Sequence, residues 1–207
     1  MRRIRQIVRK SSHLTDRTRE FWEKAALTNP YSAICDGWDE EKFNNTKHSI
    51  IFSTDIELTK DTVILDLACG LGRVAKFIAP NVKKYVGVDF SKNMIKKATE
   101  RYADYQNIEF HHNDGRTLKE FSNSTFDIVF CELGFQHMEK DVASSYINEV
   151  HRVLKNNGIF LAQIPKFDYY HDVYAFTKKE TDSLFSNVLH KEYVQESSAY
   201  FIVKATK

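Results

Sequence analysis

Acidic side chains stand at or just after the ends of four short apolar runs in this 207-residue sequence: Asp66, Asp89, Asp114 and Glu132. Short, continuous apolar runs are typical of strands that are buried in a parallel sheet. Ligands of such sheets bind beyond the carboxyl ends of the strands. A row of carboxylates at that edge favours a ligand that carries positive charge and donates hydrogen bonds from hydroxyl or amine groups.

A glycine pattern follows the first of these runs, and two kinds of nucleotide ligand could use it. Gly70-x-Gly72-x-x-Ala75 satisfies the dinucleotide fingerprint, in which a helix N-terminus holds a pyrophosphate. Asp66 lies just before this pattern, and two like charges about 4 Å apart cost about 4 kcal/mol at an effective dielectric constant of about 20. S-adenosylmethionine has a sulfonium, an ammonium, a ribose diol and no phosphate, so charge favours it over NAD.

Alternating strand and helix patterns must bring these side chains together. Apolar runs of strand length lie at 62–67, 85–89, 108–111, 126–131 and 159–164, and helical patterns lie at 73–79, 91–102 and 140–155. This alternation predicts right-handed crossovers and a doubly wound parallel sheet. A helix over 177–186 then precedes two strand-like runs, 188–195 and 200–205. Because only a few polar residues separate these runs, they predict a hairpin and an antiparallel last strand.

The chain is predicted to form one domain, 1–207, which is long enough to bury a proper core. Residues 1–52 predict short helices, the last of them over 40–52, that form a lid or flank on a core at 61–207. No linker-like composition, repeat or low-complexity stretch separates the two parts.

Composition excludes several classes of protein. Hydrophobic residues make up 42% and charged residues 28% of the chain, which is ordinary for a soluble globular protein. No apolar run reaches the roughly 18 residues of a membrane-spanning helix, so no membrane partner is expected. The three cysteines, Cys35, Cys69 and Cys131, fit neither a disulfide framework nor a zinc site. They favour a reducing cytoplasm and predict no metal site.

Five segments, in order along the chain, resemble the motifs of class I S-adenosylmethionine-dependent methyltransferases. Residues 63–73 are similar to the first motif and residues 86–94 to the second, and later motifs are matched at 113–115, 126–130 and 153–160. The resemblance covers about 62–166. It implies an α/β fold, a doubly wound, seven-stranded Rossmann-like sheet that is mostly parallel with an antiparallel last strand, plus N-terminal helices.

The resemblance also implies which residues bind S-adenosylmethionine. Asp66, with the backbone at Ala68, Gly70 and Gly72, would hold the methionyl part, and Asp89 would accept hydrogen bonds from both ribose hydroxyls. Ala68 stands where the family has its first motif glycine. A methyl group is a small change, so we expect a tighter turn that still permits binding.

The remaining cofactor contacts that the resemblance implies follow the second, third and fourth strands: Phe90, Met94, Asp114, Gly115, Cys131 and Glu132. Phe90 and Met94 would flank the adenine, and Asp114 would accept from its exocyclic amine. Cys131 and Glu132 would line the cofactor beside the sulfonium. Plainer interpretations stay open, because Asn-Asp-Gly is also a common turn sequence, Glu132 could be a solvated loop charge, and a cysteine here could be a small buried residue.

Residues after the fourth and fifth strands could contact the methyl acceptor. His137 could act as a general base, because histidine can hold a proton near neutral pH, or it could pack under the lid. Tyr169, Tyr170 and His171 follow the fifth strand, where this family often builds its acceptor pocket. Aromatic residues in such a loop are as often part of the core.

The reaction that the resemblance implies is transfer of a methyl group to an O, N or C atom of a small-molecule acceptor by in-line displacement, with S-adenosylhomocysteine as the product. Two alternatives stay open. The basic stretch between Arg2 and Arg19 could serve an RNA-modifying methyltransferase, although a net charge of +2 and the late appearance of aromatic residues disfavour a nucleic-acid partner. The chain could also bind the cofactor without catalysis. The sequence leaves the oligomeric state open.

Overall fold

The computed structural model describes residues 16–166, 174–186 and 188–207. Within these residues the chain forms one seven-stranded sheet with the strand order β3-β2-β1-β4-β5-β7-β6. The strands are β1 (Val63–Leu67), β2 (Lys84–Asp89), β3 (Ile108–His112), β4 (Phe126–Cys131), β5 (Leu154–Pro165), β6 (His190–Glu196) and β7 (Tyr200–Thr206).

Helices precede the sheet and connect its strands. The α-helices of the described residues are α1 (Asp16–Thr28), α2 (Pro30–Ile34), α3 (Glu40–Asn45), α4 (Ala75–Ile78), α5 (Lys92–Arg101), α6 (Lys140–Val153) and α7 (Lys178–Phe185). Short 3-10 helices lie at Ile50–Phe52, Ala79–Asn81 and Phe135–His137.

The strand directions confirm the predicted fold. Strands β1 to β5 pair in parallel, and β7 pairs antiparallel with both β5 and β6. After β3 the chain returns to the other side of β1 and adds β4 there. The order of the strands therefore reverses between β1 and β4, and this is where open parallel sheets bind ligands.

Opposite faces of β1 pack into separate layers of the core, as the alternation of side chains along a strand requires. Ile64 packs with Ile78 and Tyr85 on one face, and Leu65 packs with Val150 of α6 on the other. Since both faces are covered, the ends of the strands are the parts of the sheet left for a ligand.

Two element boundaries differ from the sequence expectations. The helix predicted over 140–155 ends at Val153, and β5 begins at once with Leu154. The N–H of Asn157 and the carbonyl of Gly158 bond to Lys207, so pairing with the end of the chain draws these residues into the sheet. The helix predicted over 40–52 is interrupted after α3, because the Thr46 hydroxyl and N–H both donate to the carbonyl of Lys42 and close that helix.

Candidate functional site

A cavity of about 910 Å³, including its open mouth, lies at the carboxyl ends of β1, β2 and β4, where the strand order reverses. Its wall contains most of the residues that the sequence analysis selected: Asp66, Ala68, Gly70, Asp89, Phe90, Met94, Gly115, Glu132 and His137. Residues from three strands, from α5 and from the N-terminal helices therefore meet at one site.

The turn after β1 is held in shape by bonds to the end of β2. Ala68, Gly70 and Gly72 have φ angles of 62°, 53° and 68°, in the left-handed region that favours glycine. The N–H of Gly70 donates to Asp89 Oδ2 at 2.9 Å. The turn thus forms with alanine at the first motif position, and its backbone reaches Asp89 on the neighbouring strand.

Two carboxylates of the cavity are almost fully buried. Asp66 accepts a hydrogen bond from the hydroxyl of Tyr85 on β2, and burial raises the pKa of Asp66 to about 8. Asp89 accepts from the backbone N–H groups of Gly70 and Ser91, both at 2.9 Å. Burial also raises the pKa of Asp89, while these N–H groups favour its charged form. A cation in the cavity would favour ionisation of both.

The third carboxylate of the cavity, Glu132, forms a buried ion pair with Arg73 that the sequence analysis missed. Arg73 Nη2 lies 2.8 Å from Glu132 Oε2, and each side chain is 9% exposed. The hydroxyl of Ser49 donates to the same oxygen at 2.5 Å, and Arg73 also donates to the carbonyl of His48. The pair therefore links the segment before β1 to the end of β4. The one sign in the sequence that Arg73 belongs to the site was its position within the first motif.

Helix α1 crosses the ends of β2 and α5. Arg19 donates to the carbonyls of Phe90 and Asp114 at 3.3 and 3.2 Å, and its guanidinium lies 5.3 Å from the centre of the Phe90 ring. Glu23 accepts from the N–H groups of Lys92 and Asn93 at 2.9 and 3.1 Å. It thereby caps the first turn of α5, a helix of another segment, which sequence patterns could not show.

His137 and Trp22 contact each other in the wall of the cavity. Their rings meet edge to face, with centroids 4.9 Å apart, and both line the cavity. His137 lies in the 3-10 helix that follows β4. Because the imidazole is buried, its pKa is lowered to about 4, so the ring is neutral near pH 7.

Some of the selected residues are not brought to the cavity wall. The carboxylate of Asp114 accepts from the N–H groups of Arg116 and Thr117 and from the Thr117 hydroxyl, so these bonds close its own turn, and its contact with an adenine stays a prediction. Cys131 is fully buried behind Gly134. The carbonyl of Gly72 accepts from the hydroxyl of Tyr102 at 2.7 Å, behind the turn. Tyr169, Tyr170 and His171 lie outside the described residues.

Known methyltransferases are similar to this chain in sequence. A family model described as a methyltransferase domain matches residues 64–158. Demethylmenaquinone methyltransferase of Staphylococcus aureus is 27% identical over 159 residues, which are 71% of this chain and 64% of that protein. The matched part thus spans just under two thirds of the length of this curated relative.

Solved structures share the fold. A methyltransferase of Aquifex aeolicus superposes with a TM-score of 0.63 at 15% identity, covering 82% of this chain and 98% of that one. Phosphoethanolamine N-methyltransferase 1 of Haemonchus contortus, in complex with phosphoethanolamine and S-adenosylhomocysteine, gives 0.73 at 13% identity, covering 92% and 48%. Residues 64–158 thus match a methyltransferase domain, as the resemblance to class I S-adenosylmethionine-dependent methyltransferases predicted, and the solved structures show the same fold. The family prediction is therefore confirmed, and with it S-adenosylmethionine as the cofactor of the family.

The charged groups of the cavity wall fit that cofactor. Among the described residues of the cavity wall, Arg73 is the one cation, and Glu132 neutralises it. Asp66 and Asp89 remain as buried carboxylates without a cationic partner at bonding distance within the described part of the chain. A ligand with a sulfonium and an ammonium would supply the missing positive charge.

No helix of the described residues is long and apolar enough to cross a membrane.

We expect Asp66→Asn to become more stable than the wild type as pH rises. Burial raises the pKa of Asp66 to about 8 in the folded chain, above about 3.9 when unfolded. The contribution of this group to stability is therefore present below pH 3.9 and is lost as pH rises through about 8. Urea unfolding of both proteins without cofactor measures the difference.

The difference in unfolding free energy, Asp66→Asn minus wild type, should increase between about pH 5 and pH 8 and level off above the folded pKa of about 8. Asparagine keeps the acceptor for the Tyr85 hydroxyl, so the comparison isolates the charge. A difference that is the same at every pH would contradict the raised pKa.

Proposed function

We propose that this chain transfers the methyl group of S-adenosylmethionine to a small-molecule acceptor by in-line displacement. The observation that carries the proposal is the charge of the cavity wall. Asp66, Asp89 and Glu132 line it together with one described cation, Arg73, which is already paired. The wall is therefore complementary to a cationic ligand, which would favour the ionised forms of Asp66 and Asp89, and its one described cation is not free to hold a pyrophosphate.

Asp89 is the proposed anchor for the ribose. Each of its oxygens accepts one backbone N–H, from Gly70 or from Ser91. Since a carboxylate oxygen can accept more than one hydrogen bond, each oxygen keeps capacity for one ribose hydroxyl. Phe90 and Met94 lie beside it in the wall and offer apolar contacts to the adenine. Asp66 is placed to favour the cationic methionyl part.

The acceptor would occupy the apolar side of the cavity. The apolar side chains of the wall include Trp22, Ile34, Leu133 and Met138, and His137 adds one neutral polar group. Such a wall favours a flat, mostly apolar acceptor with a hydroxyl group. The similarity to demethylmenaquinone methyltransferase of Staphylococcus aureus supports a quinone-type acceptor, and we propose that class for this chain.

The residues contribute to this reaction mainly by position. The bound cofactor supplies an electrophilic methyl group on a good leaving group. The chain then has to hold the acceptor in line with that methyl and exclude water, and such positioning is worth about 7–11 kcal/mol in favourable cases. Trp22 and α1 lie across the cavity where they can exclude water.

Asp89→Ala tests the proposed cofactor site. We expect the affinity for S-adenosylmethionine to fall at least about tenfold, because losing charge-assisted hydrogen bonds costs about 1.5–3 kcal/mol. Isothermal titration calorimetry measures the change. Asp61→Ala is the matched control, since Asp61 is an exposed aspartate at the other end of the sheet, just before β1. Equal affinities in Asp89→Ala and the wild type would remove the ribose assignment.

The methyl transfer itself is tested with cofactor labelled in its methyl group and 1,4-naphthohydroquinone as the acceptor. Label in the organic phase supports a quinone-type acceptor. Tight cofactor binding without label in this probe or in any metabolite of a cell extract would favour a binding domain without catalysis.

A further inference from the structure

A chain of hydrogen bonds leads from the last strand to His137. The hydroxyl of Tyr200, the first residue of β7, lies 2.9 Å from Gln136 Oε1. Gln136 Nε2 in turn lies 3.1 Å from His137 Nε2. The backbone of Gln136 is also fixed, because its carbonyl accepts from the N–H of Tyr174 at 3.0 Å. Tyr200 thus fixes the side-chain amide of Gln136, and Tyr174 fixes its backbone.

The imidazole of His137 is confined by its surroundings. Phe135, two residues earlier, is fully buried, and Trp22 meets the ring edge to face. Gln136 occupies Nε2, whereas no hydrogen bond joins Nδ1 to any of the described residues. Because the ring lines the cavity, Nδ1 is the nitrogen that is left for a ligand.

The direction of these bonds decides what His137 can do. An amide nitrogen only donates hydrogen bonds, and a neutral imidazole has one donor and one acceptor nitrogen. When Gln136 Nε2 donates to His137 Nε2, the imidazole proton must lie on Nδ1. With Gln136 Oε1 bonded to the hydroxyl of Tyr200, the amide presents Nε2 to the imidazole.

We propose that Gln136 and Tyr200 are positioning residues that hold the proton of His137 on Nδ1, so that the imidazole donates a hydrogen bond to an oxygen of the acceptor. The proton that the acceptor loses in exchange for the methyl group then goes to solvent and not to the imidazole. In this arrangement Nε2, the basic nitrogen, is covered by an amide donor. The low pKa of the buried ring, about 4, agrees with a group that stays neutral. For its consequence in catalysis this inference rests on the proposed methyl transfer.

The position of the proton can be measured without any activity. Two-dimensional NMR of protein labelled with ¹⁵N-histidine distinguishes the two neutral tautomers of His137, and His137→Gln assigns the signal. We expect the proton on Nδ1 in the wild type. In Gln136→Glu a carboxylate replaces the amide donor and accepts only, so the proton should move to Nε2.

Matched variants separate positioning from general damage to the fold. Gln136→Leu and Tyr200→Phe should lose the preference for Nδ1, Tyr200→Phe in part, whereas Tyr193→Phe should keep it. Tyr193 is a tyrosine of the neighbouring strand β6, and its hydroxyl bonds to Asp182 instead. A wild-type proton on Nε2, or a tautomer that Gln136→Glu does not change, would overturn the proposal.

Activity gives a second readout with 1,4-naphthohydroquinone as the probe. The amide nitrogen of an asparagine can replace a donor at Nδ1 but cannot take a proton. We therefore expect kcat/KM of His137→Asn to exceed that of His137→Ala about tenfold, the value of one hydrogen bond of about 1.4 kcal/mol. Equal losses in both variants would support a base and contradict a donor. If the wild type itself does not methylate the probe, the proposed acceptor fails, and the tautomer measurement still decides the role of Gln136.

Discussion

Arg73→Met is expected to lower the free energy of unfolding by about 3–5 kcal/mol, the usual cost of removing one partner of a buried ion pair. The side chains of Arg73 and Glu132 are each 9% exposed, and Arg73 Nη2 lies 2.8 Å from Glu132 Oε2. Without the guanidinium, the Glu132 carboxylate would keep the hydroxyl of Ser49 but no cation at bonding distance. The carbonyl of His48 would lose its donor as well. Urea unfolding of the cofactor-free protein measures the loss.

A second substitution and an exposed pair make this experiment specific. Adding Glu132→Gln to Arg73→Met removes the unpaired charge and should restore part of the stability. Lys84 and Glu109 are just as close, 2.7 Å, but 40% and 48% exposed, so Lys84→Met should cost less than about 1 kcal/mol. Similar losses in Arg73→Met and Lys84→Met would contradict the cost assigned to burial.

Gly72→Ala is expected to destabilise the protein by about 2–5 kcal/mol. The left-handed backbone at Gly72, with φ of 68°, costs an alanine about 1–2 kcal/mol. A Cβ atom at this position would also lie 2.7 Å from the ring of Phe110, and such overpacking costs a further 1–3 kcal/mol or so. Because the turn carries Gly70 to the Asp89 carboxylate, affinity for S-adenosylmethionine should fall too.

Gly37→Ala separates the two causes. Gly37 has a φ of 71°, and no atom lies within 4 Å of a Cβ built there, so this variant should show only the backbone cost of about 1–2 kcal/mol. Phe110→Leu in the Gly72→Ala background should regain part of the remainder. If Gly37→Ala and Gly72→Ala lose the same stability, contact with Phe110 is not a cause.

The sheet and the cavity-lining ends of its strands could be predicted because the sequence patterns that indicate them are local. A continuous apolar run such as 63–67 predicts a buried strand. The residues at its end must then lie near the carboxyl ends of the strands. Asp66 and Asp89 therefore fall in the cavity wall as expected. Asp114 shows the limit, since Asn-Asp-Gly serves both a binding loop and a turn, and here its carboxylate bonds within the turn.

The contacts that the sequence did not predict join segments that are distant along the chain. Arg73 was visible in the first motif, but nothing near it indicates Glu132 as its partner. The sequence around Glu23 on α1 gives no sign that its carboxylate caps α5. Nothing in the sequence links Gln136 to Tyr200, but the fold brings the Tyr200 hydroxyl to 2.9 Å from Gln136 Oε1. Such pairings depend on tertiary packing, which local patterns do not encode.

The bonds that hold α1 across the sheet edge also affect how molecules enter and leave. Arg19 is tied to the carbonyls of Phe90 and Asp114, and Glu23 to the start of α5. A molecule that entered or left between α1 and the strand ends would have to break these bonds. For the proposed methyl transfer, exchange of the cofactor by this route would be limited by the rate at which the helix detaches, and hence by the half-buried side chains of Arg19 and Glu23.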